Sequence, residues 1–251
     1  MTAFVSAADG TPIAYETVGE GPPVVLVHGF GASRVITWKN TGWYQTLARA
    51  GRRVTAIDCR GHGESGKPHD APSYAEGLMA DDIAAVLDAL DIGQADIMGY
   101  SMGGYLTIRL MHDRPERVRR AVLAGIGANT FRPSPERAEI IAQGLLAKDP
   151  ATITDPVART FRDFCERAGN DLVALAACIR RPCRIFAADE LGRMPHDVLV
   201  VCGEFDEMSG PPEPLAGAFP NGRALVVPRR NHHSTVGDRI YKDAVVDFFA
   251  R

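Results

Sequence analysis

The stretch "GYSMGG", residues 99–104, places Ser101 between Gly99 and Gly103. A β-like run, "ADIM", precedes it and a helix-like run, "YLTIRLM", follows. Glycine two residues to each side of a serine, at a strand-to-helix junction, is the pattern of a nucleophile elbow. The turn holds the serine in a strained conformation, and small neighbours keep the strand and helix from clashing. The hydroxyl is thereby raised above a sheet edge, at a helix N-terminus whose free N–H groups favour developing negative charge. A serine hydroxyl is a poor nucleophile at neutral pH. It needs a base within hydrogen-bond reach, and the base needs an orienting carboxylate. The candidate chemistry is therefore acyl transfer, and a base and an acid must come from elsewhere in the chain.

The surrounding elements must position such a set. "PPVVLVHG" is an unbroken apolar run ending in glycine, as in a strand buried on both faces of a parallel sheet. "RRVTAIDCRGHG", "ADIMGYS", "RRAVLAGIG", "DVLVVCGEFD" and "RALVVPRR" supply further strands. "FVSA" and "IAYETV" read as a hairpin with Asp9-Gly10 at its turn. Residues 73–90 read as a helix, with Ser73 and Glu76 at capping-box spacing and Ile83, Val86, Leu87 and Leu90 on one face. A last helix over 238–250 places Ile240, Ala244, Val245 and Phe248 on one face. Alternating strands and helices predict an α/β fold, a mostly parallel sheet covered by helices on both sides.

From Ala128 to Leu191 only helix signals occur. Asp155-Pro156 reads as an N-cap with proline at the first helical position, and Gly169 stops that helix. Asn170 is a candidate cap for the next, which carries Leu172, Leu175 and Ile179. Two or more consecutive helices interrupt the alternation. They divide the chain into a core of residues 1–127 and 192–251 and a helical cap insertion over 128–191.

Several motifs in order resemble the α/β-hydrolase fold family, in its cap-bearing serine hydrolase branch. "VVLVHGFGAS" (24–33) is similar to the family's strand and His-Gly loop, and "AIDCRGHGESGKP" (56–68) to its D-x-R-G-H-G-x-S loop. "GYSMGG" is the elbow, "VLVVCGEFD" (198–206) the strand ending in the acid, and "VVPRRNHH" (226–233) the stretch carrying the catalytic histidine. In that last stretch Arg229, Arg230 and Asn231 replace the family's small residues. The resemblance implies a triad of Ser101, Asp206 and His232, in the chain order Ser, acid, His. Asp206 ends an apolar strand, where open α/β sheets place their sites; Glu204 and Glu207 are its rivals. Counting from Pro228 through Asn231 reaches His232, with His233 as the alternative, and Asn231 is the expected site of a bend with φ > 0. The resemblance also implies an oxyanion hole from the backbone N–H groups of Phe30 and Met102. Phe161, Phe164, Leu172 and Leu175 are candidates to line an apolar substrate pocket, or to pack inside the cap.

Of the other histidines, His28 and His62 are expected to hold loops, and His69, His112 and His196 to lie at the surface. No metal-ligand spacing and no glycine-rich nucleotide loop occurs, so neither metal nor cofactor is expected. Net charge is −3 with Lys and Arg dispersed, which argues against nucleic acid. No apolar run approaches the ~20 residues of a membrane span. Five cysteines without C-x-x-C spacing read as reduced thiols of a cytoplasmic protein. The expected partner is a small substrate with an apolar acyl or alcohol part, and a homodimer stays open. Ester, thioester or lactone cleavage is the expected activity. C–C bond hydrolysis, cofactor-free perhydrolysis and a non-catalytic receptor are the alternatives.

Overall fold

The computed structural model describes residues 1–132 and 134–250. Eight strands form one sheet: β1 (Ala3–Ser6), β2 (Pro12–Val18), β3 (Pro23–Val27), β4 (Arg53–Ile57), β5 (Ala95–Tyr100), β6 (Val118–Ala124), β7 (Asp197–Gly203) and β8 (Asn221–Val227), in the order β1-β2-β4-β3-β5-β6-β7-β8. The β1–β2 hairpin turns at Asp9-Gly10, and β2 joins β4 antiparallel. Every pair from β4 onward is parallel. The near-continuous apolar strands suit this arrangement, because both faces of the central sheet are covered.

One face packs against α2 (Glu76–Ala89) and α3 (Met102–Asp113), burying Ile83, Val86, Leu87, Leu106 and Leu110. The other packs against α1 (Trp43–Arg49) and, at the end of the chain, the helix Arg239–Ala250, burying Trp38, Trp43, Tyr241, Val245 and Phe248. That terminal helix is rotated from the predicted face. Tyr241 and Phe249 turn inward and Ile240 stays 47% exposed, because the Tyr241 ring packs edge-on to Trp43 at 4.8 Å.

Between β6 and β7 run α4 (Pro135–Leu146), α5 (Pro156–Arg167), α6 (Leu172–Ile179) and the single turn α7 (Ala188–Leu191), with no strand among the described residues. α4, α5 and α6 share a small apolar core of Ile141, Ala142, Leu145, Cys165, Leu175 and Ala176. The segment expected as a cap, 128–191, includes residue 133, which lies outside the described residues, as does residue 251 at the end of the expected core. The short turn α8 (Glu213–Ala216) lies between β7 and β8, so the terminal helix is α9.

Two predicted caps are corrected. Ser73 does not cap α2, which starts at Glu76 after Ala75. Asp70 instead accepts from the Ser73 amide at 3.1 Å and caps a 3₁₀ turn over Ala71–Tyr74. α6 is capped by Asp171, whose carboxylate accepts from Val173 N and Ala174 N at 3.0 Å, and not by Asn170. The Asn170 amide is spent elsewhere: it donates to the Gly31 carbonyl at 2.7 Å. Asp155 caps α5 as predicted, accepting from Val157 N and Ala158 N.

Candidate active site

The C-terminal ends of β3, β5, β6, β7 and β8 lie along one edge of the parallel sheet, and the candidate residues follow directly on them. Ser101 comes immediately after β5. Its φ of 52° and ψ of −114° put a non-glycine residue in a sparsely populated region, held by a hydrogen bond from its own amide to Ala124 O at 2.7 Å. The glycines around it are obligatory. A Cβ on Gly99 would stand 2.2 Å from Gly103 O, and a Cβ on Gly103 would stand 2.1 Å from Val27 O. Strand, turn and helix thus meet backbone to backbone.

Gly29 faces the serine closely enough that a Cβ there would stand 3.3 Å from Ser101 Cβ. The loop is fixed from below by His28, whose Nε2 accepts from Cys59 N at 3.0 Å while its Nδ1 is 2.7 Å from Gly29 O. From above, Gly31, at φ 71°, sits under α5 and is bonded by Asn170. Phe30 and Met102, the expected oxyanion donors, therefore flank Ser101 on two separate elements.

Asp206 lies three residues beyond β7 and is 4% exposed. Its Oδ2 accepts from His232 Nδ1 at 2.9 Å and from Ser209 Oγ at 2.8 Å, and its Oδ1 accepts from Ser209 N at 3.0 Å. Burial would raise this carboxyl. The hydrogen bond and charge of His232, with the two Ser209 bonds, outweigh burial and hold it below the usual carboxylate range. Because the carboxylate can only accept, Nδ1 of His232 carries the proton and Nε2 is the nitrogen left to act as base. The ring lies over Gly125, the residue after Ala124, with Cε1 3.1 Å from where a Cβ would be. Ser101 N is bonded to Ala124 O, so the imidazole and the serine adjoin the same strand end. The Tyr100 hydroxyl donates to the His232 carbonyl and anchors the loop.

The rivals are placed elsewhere. Glu204 is exposed and accepts from Arg229 N at 2.8 Å, and Glu207 is exposed. The expected bend at Asn231 is corrected: the positive φ falls on Arg229, at 57°. Asn231 instead ties the next turn, its Oδ1 accepting from His233 N at 3.1 Å and Ser234 N at 3.0 Å. His62 is fully buried with Nδ1 3.0 Å from Arg60 O, in keeping with a loop-holding role. His196 is not a surface residue. It is 7% exposed, with Nε2 3.0 Å from Pro115 O.

The four pocket candidates divide. The Phe161 ring lies 5.9 Å from the Phe30 ring, and Phe164 lies 6.1 Å from His233 and against Gly31. Leu175 is fully buried among α4, α5 and α6, and Leu172 packs at the edge of the same cluster. Ser209 is a site residue that the sequence does not mark. A serine in "FDEMSG" carries no signal of its own, and only the fold shows that it closes back on Asp206. Among the described residues no group of three metal-ligating side chains occurs, and no helix is long and apolar enough to cross a membrane.

The chain belongs to the alpha/beta hydrolase fold family of enzymes, whose sequence model matches residues 22–177. It is 41% identical over 113 residues to a 2-hydroxymuconate semialdehyde hydrolase of Pseudomonas sp. (strain CF600), a match covering 45% of this chain and 39% of that relative. The chain thus spans well under two thirds of that relative's length. Among solved structures it is similar to a hydrolase from Pseudomonas aeruginosa PA01, with a TM-score of 0.83 at 25% identity over 100% of this chain and 98% of that one. It is also similar to a meta-cleavage product hydrolase from Pseudomonas fluorescens IP01, with a TM-score of 0.73 at 26% identity, covering 99% and 97%.

Proposed function

We propose that the protein is a serine hydrolase that cleaves a carboxylic ester, thioester or lactone through an acyl-enzyme. Ser101 attacks the carbonyl while His232 Nε2 takes the hydroxyl proton. Asp206 holds the imidazole in the required tautomer and stabilises the imidazolium. The N–H groups of Phe30 and Met102 receive the oxyanion. His232 then returns the proton to the leaving group, and water releases the acyl group by the same steps in reverse order. Helices α4–α6 act as the cap, with Phe161 and Phe164 facing the site. The observation that carries this reading is the 2.9 Å Asp206–His232 pair at the strand edge where Ser101 holds its strained elbow.

A fluorophosphonate probe tests it. One label per chain is expected on Ser101, abolished in Ser101→Ala, with turnover of an activated ester reduced by several orders of magnitude. An unlabelled Ser101, or near-normal turnover by Ser101→Ala, would favour a binding protein on the same fold. A second reading, C–C bond hydrolysis on the same residues, takes its substrate from the relatives' names, a meta-cleavage product such as 2-hydroxymuconate semialdehyde. It is supported by the 41% identity over 113 residues and is tested by turnover of that compound.

A further inference from the structure

The turn that carries the expected oxyanion donor holds two peptide groups hydrogen-bonded in series. One joins Gly31 to Ala32, the other Gly29 to Phe30. Ala32 N donates to Gly29 O at 3.3 Å and closes the turn, with Gly31, at φ 71°, in its third position. The carbonyl of the outer peptide, Gly31 O, accepts from Asn170 Nδ2 at 2.7 Å. The carbonyl of the inner peptide, Gly29 O, is also 2.7 Å from His28 Nδ1. Because Nε2 of that ring accepts from Cys59 N, Nδ1 carries the proton and donates. A trans peptide is planar, with its C=O and N–H on opposite sides, so fixing Gly29 O fixes the direction of Phe30 N–H. The series thus runs from the Asn170 amide through Gly31–Ala32 and Gly29–Phe30 to Phe30 N–H. Hydrogen bonds in such a chain polarise one another.

Asn170 is itself held in place, at the junction of α5 and α6. Its own N–H donates to Cys165 O at 3.1 Å. The next residue, Asp171, caps α6 and lies 2.8 Å from His69 Nε2 on the loop after β4. Gly31 is packed against the same junction, where a Cβ on it would stand 2.8 Å from Cys165 Sγ and 3.2 Å from the Phe164 ring. The tie at Asp171 reaches His69, and the tie at Asn170 reaches the oxyanion turn. A carbonyl only accepts, so the amide must present its nitrogen to Gly31 O, and an aspartate in its place would set oxygen against oxygen. The 3.3 Å bond from Ala32 is long for an N–H···O contact, so the turn depends on what grips its outer peptide.

We propose that Asn170 is a positioning residue for the oxyanion hole, aiming Phe30 N–H through the Gly31–Ala32 and Gly29–Phe30 peptides. This rests on the serine-hydrolase reading above. Asn170 touches no substrate. Its effect is felt where charge develops on the reacting oxygen, so it acts on the transition state and not on substrate binding.

The test measures p-nitrophenyl butyrate turnover by wild type, Asn170→Asp, Asn170→Ala and His69→Ala. Removing an oxyanion donor outright costs about 10²–10³ in kcat, and removing the group behind it should cost less, roughly 10-fold in Asn170→Asp. The loss should fall equally on kcat and kcat/KM, leaving KM in place. Asn170→Ala, which removes the donor without adding a carboxylate, should lose in the same direction by a smaller factor. An aryl trifluoromethyl ketone, which adds to Ser101 as an oxyanion, should bind Asn170→Asp more weakly by a factor similar to the loss in kcat. His69→Ala cuts the neighbouring tie of the same junction and should keep the wild-type kcat. A loss confined to KM, an equal loss of kcat in His69→Ala, or a wild-type kcat in Asn170→Asp overturns the proposal. Should Asn170→Asp fail to fold, Asn170→Ala decides by the same criteria. Should wild type neither take the fluorophosphonate label nor turn over an ester, the serine-hydrolase reading fails separately, and amide exchange tests the turn instead. Ala32 N–H should then exchange roughly tenfold faster in Asn170→Ala than in wild type or His69→Ala, and equal exchange in all three refutes the positioning role.

Discussion

His232 and His233 are adjacent in the chain, and their rings stand nearly perpendicular, at 86° with centroids 5.6 Å apart. Only His232 is turned to Asp206, whereas His233 leans outward towards Phe164 of α5. Burial and the charge of His232 lower the pKa of His233, so it stands neutral at the mouth of the site. His232→Ala should abolish nearly all turnover of an activated ester, while His233→Ala should keep at least about a tenth, since only the former removes a member of the proposed triad. Assaying the two single variants side by side checks this, and the reverse pattern would displace the assignment.

The elbow's glycines are not equivalent. A Cβ on Gly103 would meet main chain, Val27 O at 2.1 Å, and neither strand nor helix can withdraw without breaking the β3–β5 register at Val27 and Gly99. A Cβ on Gly104 meets no main chain, only side-chain atoms of Ile126, the nearest its terminal Cδ1 at 2.8 Å. Alanine is also the better helix former, by about 1 kcal/mol. Gly103→Ala should therefore destabilise by about 3 kcal/mol or more and block labelling of Ser101, whereas Gly104→Ala should stay within about 1 kcal/mol of wild type. Urea unfolding of both variants, read with probe labelling, checks the contrast.

The parallel sheet, the elbow and the two loops that follow β3 and β4 were legible because they are local. Continuous apolar runs and glycines at fixed spacing reflect constraints within ten residues. What depended on distant contacts was not. Ser73 reads as a helix cap until Asp70 claims its amide, and Asn170 reads as a cap until Gly31 claims its side chain. The phase of α9 follows from Trp43, nearly two hundred residues away, and His196 is buried by a carbonyl of the β6 approach. Ser209 shows the same limit inside the site, for its role exists only once β7 and β8 bring Asp206 and His232 together.

Leu175 and Phe164 separate packing from specificity. Leu175 has no exposed surface and sits among Ile141, Leu145 and Cys165, so Leu175→Ala should cost about 2–5 kcal/mol and leave the order of preference among esters unchanged. Phe164 is half-buried between Gly31 and His233. Phe164→Ser should cost less stability than Leu175→Ala and should change relative kcat/KM across esters of graded chain length. Equal loss on every ester by Phe164→Ser would place that ring in packing as well.

Ser209 holds the Asp206 carboxylate in its charged form. Its hydroxyl and amide both donate to Asp206, and the hydroxyl is also 3.3 Å from His232 Nδ1. Burial alone would raise Asp206, and the His232 and Ser209 bonds together bring it below the ordinary carboxylate range. A carboxyl lowered in the folded state stabilises that state above its unfolded pKa, and the contribution is lost as pH falls through the folded value. Removing one donor returns Asp206 towards its ordinary value, so that loss starts at higher pH. A hydrogen bond to a charged group contributes about 1.5–3 kcal/mol, so acid unfolding of Ser209→Ala should begin at higher pH than that of wild type. Ser209→Thr, which keeps the hydroxyl, should restore the wild-type acid midpoint. A Ser209→Ala protein that loses the same stability at every pH, with its acid midpoint in place, would show that the serine only packs the loop.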